Sequence, residues 1–110
     1  MRRVVIGLAI VIGVGAAPAA AQDAAARGET VFVAQKCSLC HSVAGKGNPK
    51  GPMEEAVGKL TAVEIRAWIT DAKGMTAKTK AERKPAMKEF ALPKDDVDAL
   101  VAYLTSLKKK

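Results

Sequence analysis

Residues 37–41 read Cys37-Ser38-Leu39-Cys40-His41, and this pentapeptide decides what the rest of the chain must build. On a helical turn, positions i, i+3 and i+4 share one face, so two sulfurs and an imidazole are presented together. This is the C-x-x-C-H pattern for covalent attachment of a c-type haem. Both thiols can reach the vinyl groups on one edge of the ring, and the adjacent histidine comes beneath the plane to ligate iron. Both cysteines and the only histidine of the chain fall inside these residues. Three rival readings use the same side chains. A Cys37–Cys40 disulfide suits an oxidising compartment but leaves His41 without a role. A thioredoxin-like redox motif needs a βαβ setting that the chain lacks. A zinc site would find only three good ligands, because no further Cys or His exists.

Size and composition favour the haem. The chain has 110 residues, enough for one domain. Its large rings are only Phe32, Trp68, Phe90 and Tyr103, 4% of the sequence. A domain this small is hard to stabilise from its own side chains, and a flat, largely apolar cofactor would fill the core.

Outward from the motif, the pattern is helical. Residues 24–36 read as a first helix in which Gly28 and Phe32 share a face. Residues 42–52 read as a loop, punctuated by Gly45, Gly47, Pro49, Gly51 and Pro52, and Met53–Gly58 as a short helical turn. Thr61 and Glu64 have capping-box spacing. Ile65, Trp68, Ile69 and Ala72 then repeat at helical spacing, and Gly74 reads as the stop. The Lys-rich stretch 75–92, interrupted by Pro85, reads mostly as loop. In the last helix Val97, Leu100, Val101, Leu104 and Leu107 form one apolar stripe. Asp95, Asp96 and Asp98 sit at its amino end and Lys108, Lys109 and Lys110 at its carboxyl end, as the helix dipole favours. No strand pattern stands out, so the expected class is all-α.

The amino terminus reads as a cleavable export segment. Arg2 and Arg3 form a positive start, residues 4–14 an apolar run, and residues 16–21 a small-residue cleavage region, with cleavage expected after Ala21. An uncleaved anchor is the alternative, since residues 4–21 carry no charge. Cleavage leaves a domain of residues 22–110 and removes two of the positive charges in a formal net of +7. The expected location is outside the cytoplasm, in a bacterial periplasm.

Taken together, the attachment motif and the terminal helices resemble a class I c-type cytochrome over residues 24–108. In that family the first helix, with a Gly and an aromatic four residues later, crosses the last helix near a Leu and an aromatic. Gly28, Phe32, Leu100 and Tyr103 match. The resemblance implies the cytochrome c fold, three to five helices around one covalently bound haem. It also implies that the Pro52 carbonyl accepts a hydrogen bond from His41. Trp68 has two readings: a packed core ring, which is the ordinary one, or an indole N–H offered to a haem propionate, as helix-borne Trp residues do in some relatives.

The second axial ligand cannot be a histidine, which leaves methionine as the common partner. Met53 lies only 12 residues past His41, on the stretch that must first leave the histidine side. Met75 and Met87 both have enough chain to cross. The resemblance favours Met87, because the family ligand sits just before the final helix, often with an aromatic three residues on, as in Met87-Lys88-Glu89-Phe90. Met75 is the runner-up. Where the family often places Pro directly after that Met, this chain has Pro85 two residues before it.

Charge bears on partners. Lys and Arg number 18 against 11 Asp and Glu, which points to acidic partners rather than to a fold. Scattered lysines and few aromatics argue against nucleic acid. Between residues 73 and 94 lie seven basic residues (Lys73, Lys78, Lys80, Arg83, Lys84, Lys88, Lys94) against Glu82 and Glu89. With Met87 over the iron, this segment would frame the haem crevice. The expected function is one-electron shuttling by a monomeric carrier between exported or membrane-bound redox proteins, without catalysis. Membrane contact would come only through partners or an uncleaved anchor. The alternatives are a haem subunit of a larger oxidoreductase, or a ligand-binding haem sensor or enzyme if the distal position is open.

Overall fold

The computed structural model describes residues 19–108. The expected export segment lies outside them except for its last residues, which belong to the first helix. Among the described residues no helix is long and apolar enough to cross a membrane. In chain order the elements are α1 (Ala19–Ala34), a 3-10 turn (Cys37–Leu39), β1 (Ser42–Val43), β2 (Lys46–Gly47), α2 (Met53–Gly58), α3 (Ala62–Thr70), α4 (Ala72–Thr79) and α5 (Lys94–Ser106). The fold is all-α apart from one short hairpin.

The crossing of α1 and α5 is the main internal contact, and it depends on a missing side chain. A Cβ on Gly28 would stand 2.0 Å from the Ala99 carbonyl oxygen and 2.5 Å from Tyr103 Cβ, so only glycine lets the helices approach this closely. Beside the crossing, Phe32 and Tyr103 meet edge to face with ring centroids 5.8 Å apart. Such a pair contributes about 1 kcal/mol beyond its area burial. Val31, Val97, Leu100, Val101 and Leu104 complete the buried seam, each worth about 2 kcal/mol for leaving water. Arg27 and Asp96 pair across its exposed edge at 2.7 Å.

Helix α3 packs on α5 through buried Ile65 and Ile69. Its start is the capping box expected from Thr61 and Glu64: Glu64 N–H donates to Thr61 Oγ1 at 3.2 Å and Thr61 N–H to Glu64 Oε1 at 3.0 Å. Asp98 on α5 takes hydrogen bonds from Lys94 and Arg66, which hold its carboxyl below the usual range. These are exposed pairs, which add orientation more than stability.

Four sequence expectations are corrected. The first helix already includes Ala19, ahead of the expected start at 24, since an alanine-rich run favours helix, and it ends at Ala34. Gly74 is not a helix stop. Asp71 ends α3 and also caps α4, its Oδ1 accepting from Gly74 N–H at 3.2 Å. A Cβ on Gly74 would fall 2.4 Å from Asp71 Oδ2. Residues 75–79 are therefore helical rather than loop, because a strong N-cap overrides a glycine read by itself. The 42–52 loop contains the hairpin, with Ser42 opposite Gly47 and Val43 opposite Lys46. Ala44 and Gly45, at φ 51° and 79°, supply the two positive dihedrals of a primed two-residue turn. At the carboxyl end, Lys108 donates from Nζ to the Leu60 carbonyl between α2 and α3 instead of to its own helix.

Candidate haem site

The chain leaves α1 through Lys36 in the left-handed region (φ 57°), which reverses its direction and starts the attachment turn. Cys40 N–H and His41 N–H both donate to the Cys37 carbonyl, at 3.1 and 2.9 Å. The i, i+3, i+4 bonding expected from the spacing is thus present, and Cys37, Cys40 and His41 are set on one side of a single turn. Both thiols are free.

A second set of contacts holds this turn from below. Asn48 N–H donates to the carbonyls of Ser38 and His41, each at 3.1 Å, and its Nδ2 donates to the Leu39 carbonyl at 3.1 Å. Three carbonyls of the pentapeptide are therefore satisfied by one residue. Gly47, at φ 112°, lets the chain pass so close that a Cβ would lie 2.3 Å from the His41 carbonyl oxygen. Asn48 and Gly47 were not singled out as site residues from the sequence. The available signal was the Gly-Asn-Pro run, which reads first as an ordinary turn.

His41 is oriented by the Gly51 carbonyl, 3.3 Å from Nδ1. A carbonyl can only accept, so Nδ1 carries the proton and Nε2 is left with its lone pair. This corrects the expectation for Pro52 by one residue: the Pro52 carbonyl accepts from Ala56 N–H in the first turn of α2. Burial pushes the His41 pKa down, the Gly51 bond opposes it, and Arg83 adds to the depression. The neutral imidazole is the form that ligates metal. Burial raises the Cys37 thiol pKa.

Above the turn lies a cavity of about 630 Å³, within the range of small-molecule and cofactor sites. Phe32, Ile65, Ile69, Leu100 and Leu104 give it apolar walls, and Cys37, Cys40, His41 and Met87 all line it. The three methionines separate clearly. Met87, half-buried, reaches the cavity from the loop between α4 and α5. Met75 is buried on α4 but does not line it. Met53 lines it at the start of α2, two residues past the carbonyl that faces His41, so its chain runs on the histidine side. Trp68 is half-buried and also lines the cavity. The Met87 loop is fastened at its far end by Phe90 N–H to the Ile69 carbonyl at 3.0 Å, and Lys88 lies over the Phe90 ring at 5.4 Å.

The comparison with protein families bears directly on this geometry. The cytochrome c family model matches residues 25–108. The chain belongs to the cytochrome c family. That membership carries the cytochrome c fold and, as the family implies, a covalently bound haem that serves electron transfer. Among curated proteins, the chain is similar to cytochrome c oxidase subunit 2 of Alkalihalophilus pseudofirmus, 31% identical over 91 residues. The match covers 74% of this chain and 25% of that protein, so the chain spans about a quarter of the relative's length. No solved structure gives a significant match.

The residues present fit the family's cofactor. Two free thiols on one turn can form the thioethers, and an imidazole and a thioether on the same cavity are the donor types that cytochrome iron takes. The surrounding walls are apolar, as a haem requires.

Proposed function

We propose that this chain is a one-electron carrier whose single haem c is joined to Cys37 and Cys40, with His41 and Met87 as axial ligands. The observation that supports it most is the meeting of His41 and Met87 on one apolar cavity beside the two thiols. When bound, the haem supplies a ferric–ferrous couple. The protein supplies the rest. The Gly51 bond fixes the imidazole tautomer, and the apolar walls exclude water and disfavour the more charged oxidised state. Trp68, on the cavity wall, would offer its N–H to a propionate. With both axial positions taken by the chain, no position remains for a substrate, so the role is carriage rather than catalysis. The segment 1–21 supports export to the periplasm, where the partners would be exported or membrane-bound.

Docking rests on the exposed basic residues of 73–94. Arg83 and Lys88 line the cavity itself, with Lys36 joining them from the attachment side. Such a field steers an acidic partner toward the haem edge. The test is the rate of reduction by a strongly acidic flavoprotein, measured from about 10 to 200 mM salt. A fall of about fivefold or more is expected, with a neutral small-molecule reductant showing little change. A protein-to-protein rate that ignores salt would rule steering out.

The similarity to an oxidase subunit favours one second reading, a haem module within a larger oxidoreductase. A stable partner retained through purification would distinguish it from a free shuttle.

A further inference from the structure

Arg83 belongs to the loop that carries Met87, yet its guanidinium lies on the attachment turn. Its Nη2 donates to the Cys40 carbonyl. A Cβ on Gly51 would stand 2.2 Å from Arg83 Nη1 and 3.0 Å from its Cζ, so the planar fork rests against bare glycine backbone. That same Gly51 presents its carbonyl to His41 Nδ1. Arg83 therefore touches both residues that flank and seat the histidine, while its own segment runs on to Met87.

The rest of the loop is held elsewhere. Ala81 N–H bonds to Thr76 before Arg83, and Phe90 N–H bonds to Ile69 after Met87. Between those anchors, the Arg83–Cys40 bond is the tie that fastens the ligand segment to the histidine side. Arg83 makes no ion pair among the described residues, and its charge stands on the backbone that flanks and seats His41. A lysine would place the charge but not the fork.

We infer that Arg83 is a positioning residue for electron transfer. It straps the Met87 loop to the Cys40–Gly51 backbone, slowing departure of the Met87 sulfur, and holds a positive charge beside the histidine that favours the reduced state. The inference rests on the proposed Met87 ligation.

The test uses the oxidised holoprotein with imidazole as the competing ligand, following loss of the weak sulfur-to-iron charge-transfer band. At saturating imidazole the rate reports departure of Met87. Arg83→Gln should raise this limiting rate about tenfold, the scale of one lost charge-assisted hydrogen bond, and should lower the midpoint potential. Arg83→Lys should recover most of the potential while keeping the faster rate. Lys84→Gln, which removes a neighbouring exposed charge, should leave the rate at the wild-type value. A wild-type rate in Arg83→Gln, or an equal acceleration in Lys84→Gln, overturns the strap. An oxidised wild type without the band overturns the Met87 ligation itself, and the strap with it.

Discussion

Met87→Ala lowers the midpoint potential by on the order of 100 mV, because a thioether ligand raises the potential of a histidine-ligated haem. Potentiometric titration of variant and wild type measures it. The expectation follows from position. Met87 lines the cavity shared by Cys37, Cys40 and His41, whereas Met75 is buried in α4 away from it. Met75→Ala should therefore cost stability, about 2–4 kcal/mol for emptying a buried site, with little change in potential. If the two variants exchange these outcomes, the distal assignment moves to Met75. The opened position in Met87→Ala should also admit small ligands that the wild type takes up slowly, since no second histidine can replace the sulfur.

The second large effect concerns folding. Gly28→Ala should destabilise the protein by about 3 kcal/mol, through overpacking at a site that cannot yield. The new methyl meets the Ala99 carbonyl at 2.0 Å and Tyr103 Cβ at 2.5 Å. These are backbone and the root of a side chain, so relief requires α1 and α5 to separate, and the Phe32–Tyr103 contact separates with them. For a domain of this size the loss corresponds to a fall of about 10–20 °C in Tm. Gly58→Ala is the matched control. It closes α2 with nothing within 4 Å of an added Cβ, and should leave Tm unchanged or slightly higher. Thermal melts of both holoproteins, followed by far-ultraviolet circular dichroism, separate the cases. Equal melting temperatures would mean that the helices do not cross at Gly28.

The parts of this protein legible in its sequence are those whose determinants lie close together along the chain. Cys37, Cys40 and His41 fall within one pentapeptide, and helical geometry alone places them on one face. Thr61 and Glu64 announce α3 by themselves. The stripe from Val97 to Leu104 announces α5, and the small residue at Gly28 hints at its partner. What could not be read depends on two segments meeting, or on two signals competing. Asp71 and Gly74 each carry a boundary signal, and the cap prevailed because its carboxylate satisfies an amide that α4 would otherwise leave free. Asn48 sits in a run that reads as a turn, and only the folded loop brings it under three carbonyls of the attachment turn. The carbonyl that orients His41 belongs to Gly51, one residue from the Gly-Pro step that suggested Pro52. That offset is set by where α2 begins, since the Pro52 carbonyl is already committed to Ala56. Arg83 looked like one more basic residue in a Lys-rich stretch, and its contact with Cys40 spans 43 positions of sequence.

The covalent attachment on which all of this rests can be weighed directly. Intact-mass measurement of the purified protein, unfolded in denaturant, should give the mass of the polypeptide plus one haem. Cys37→Ala/Cys40→Ala should give the bare polypeptide. A wild-type mass equal to the bare chain, or lighter by two hydrogens as a Cys37–Cys40 disulfide requires, would contradict the account.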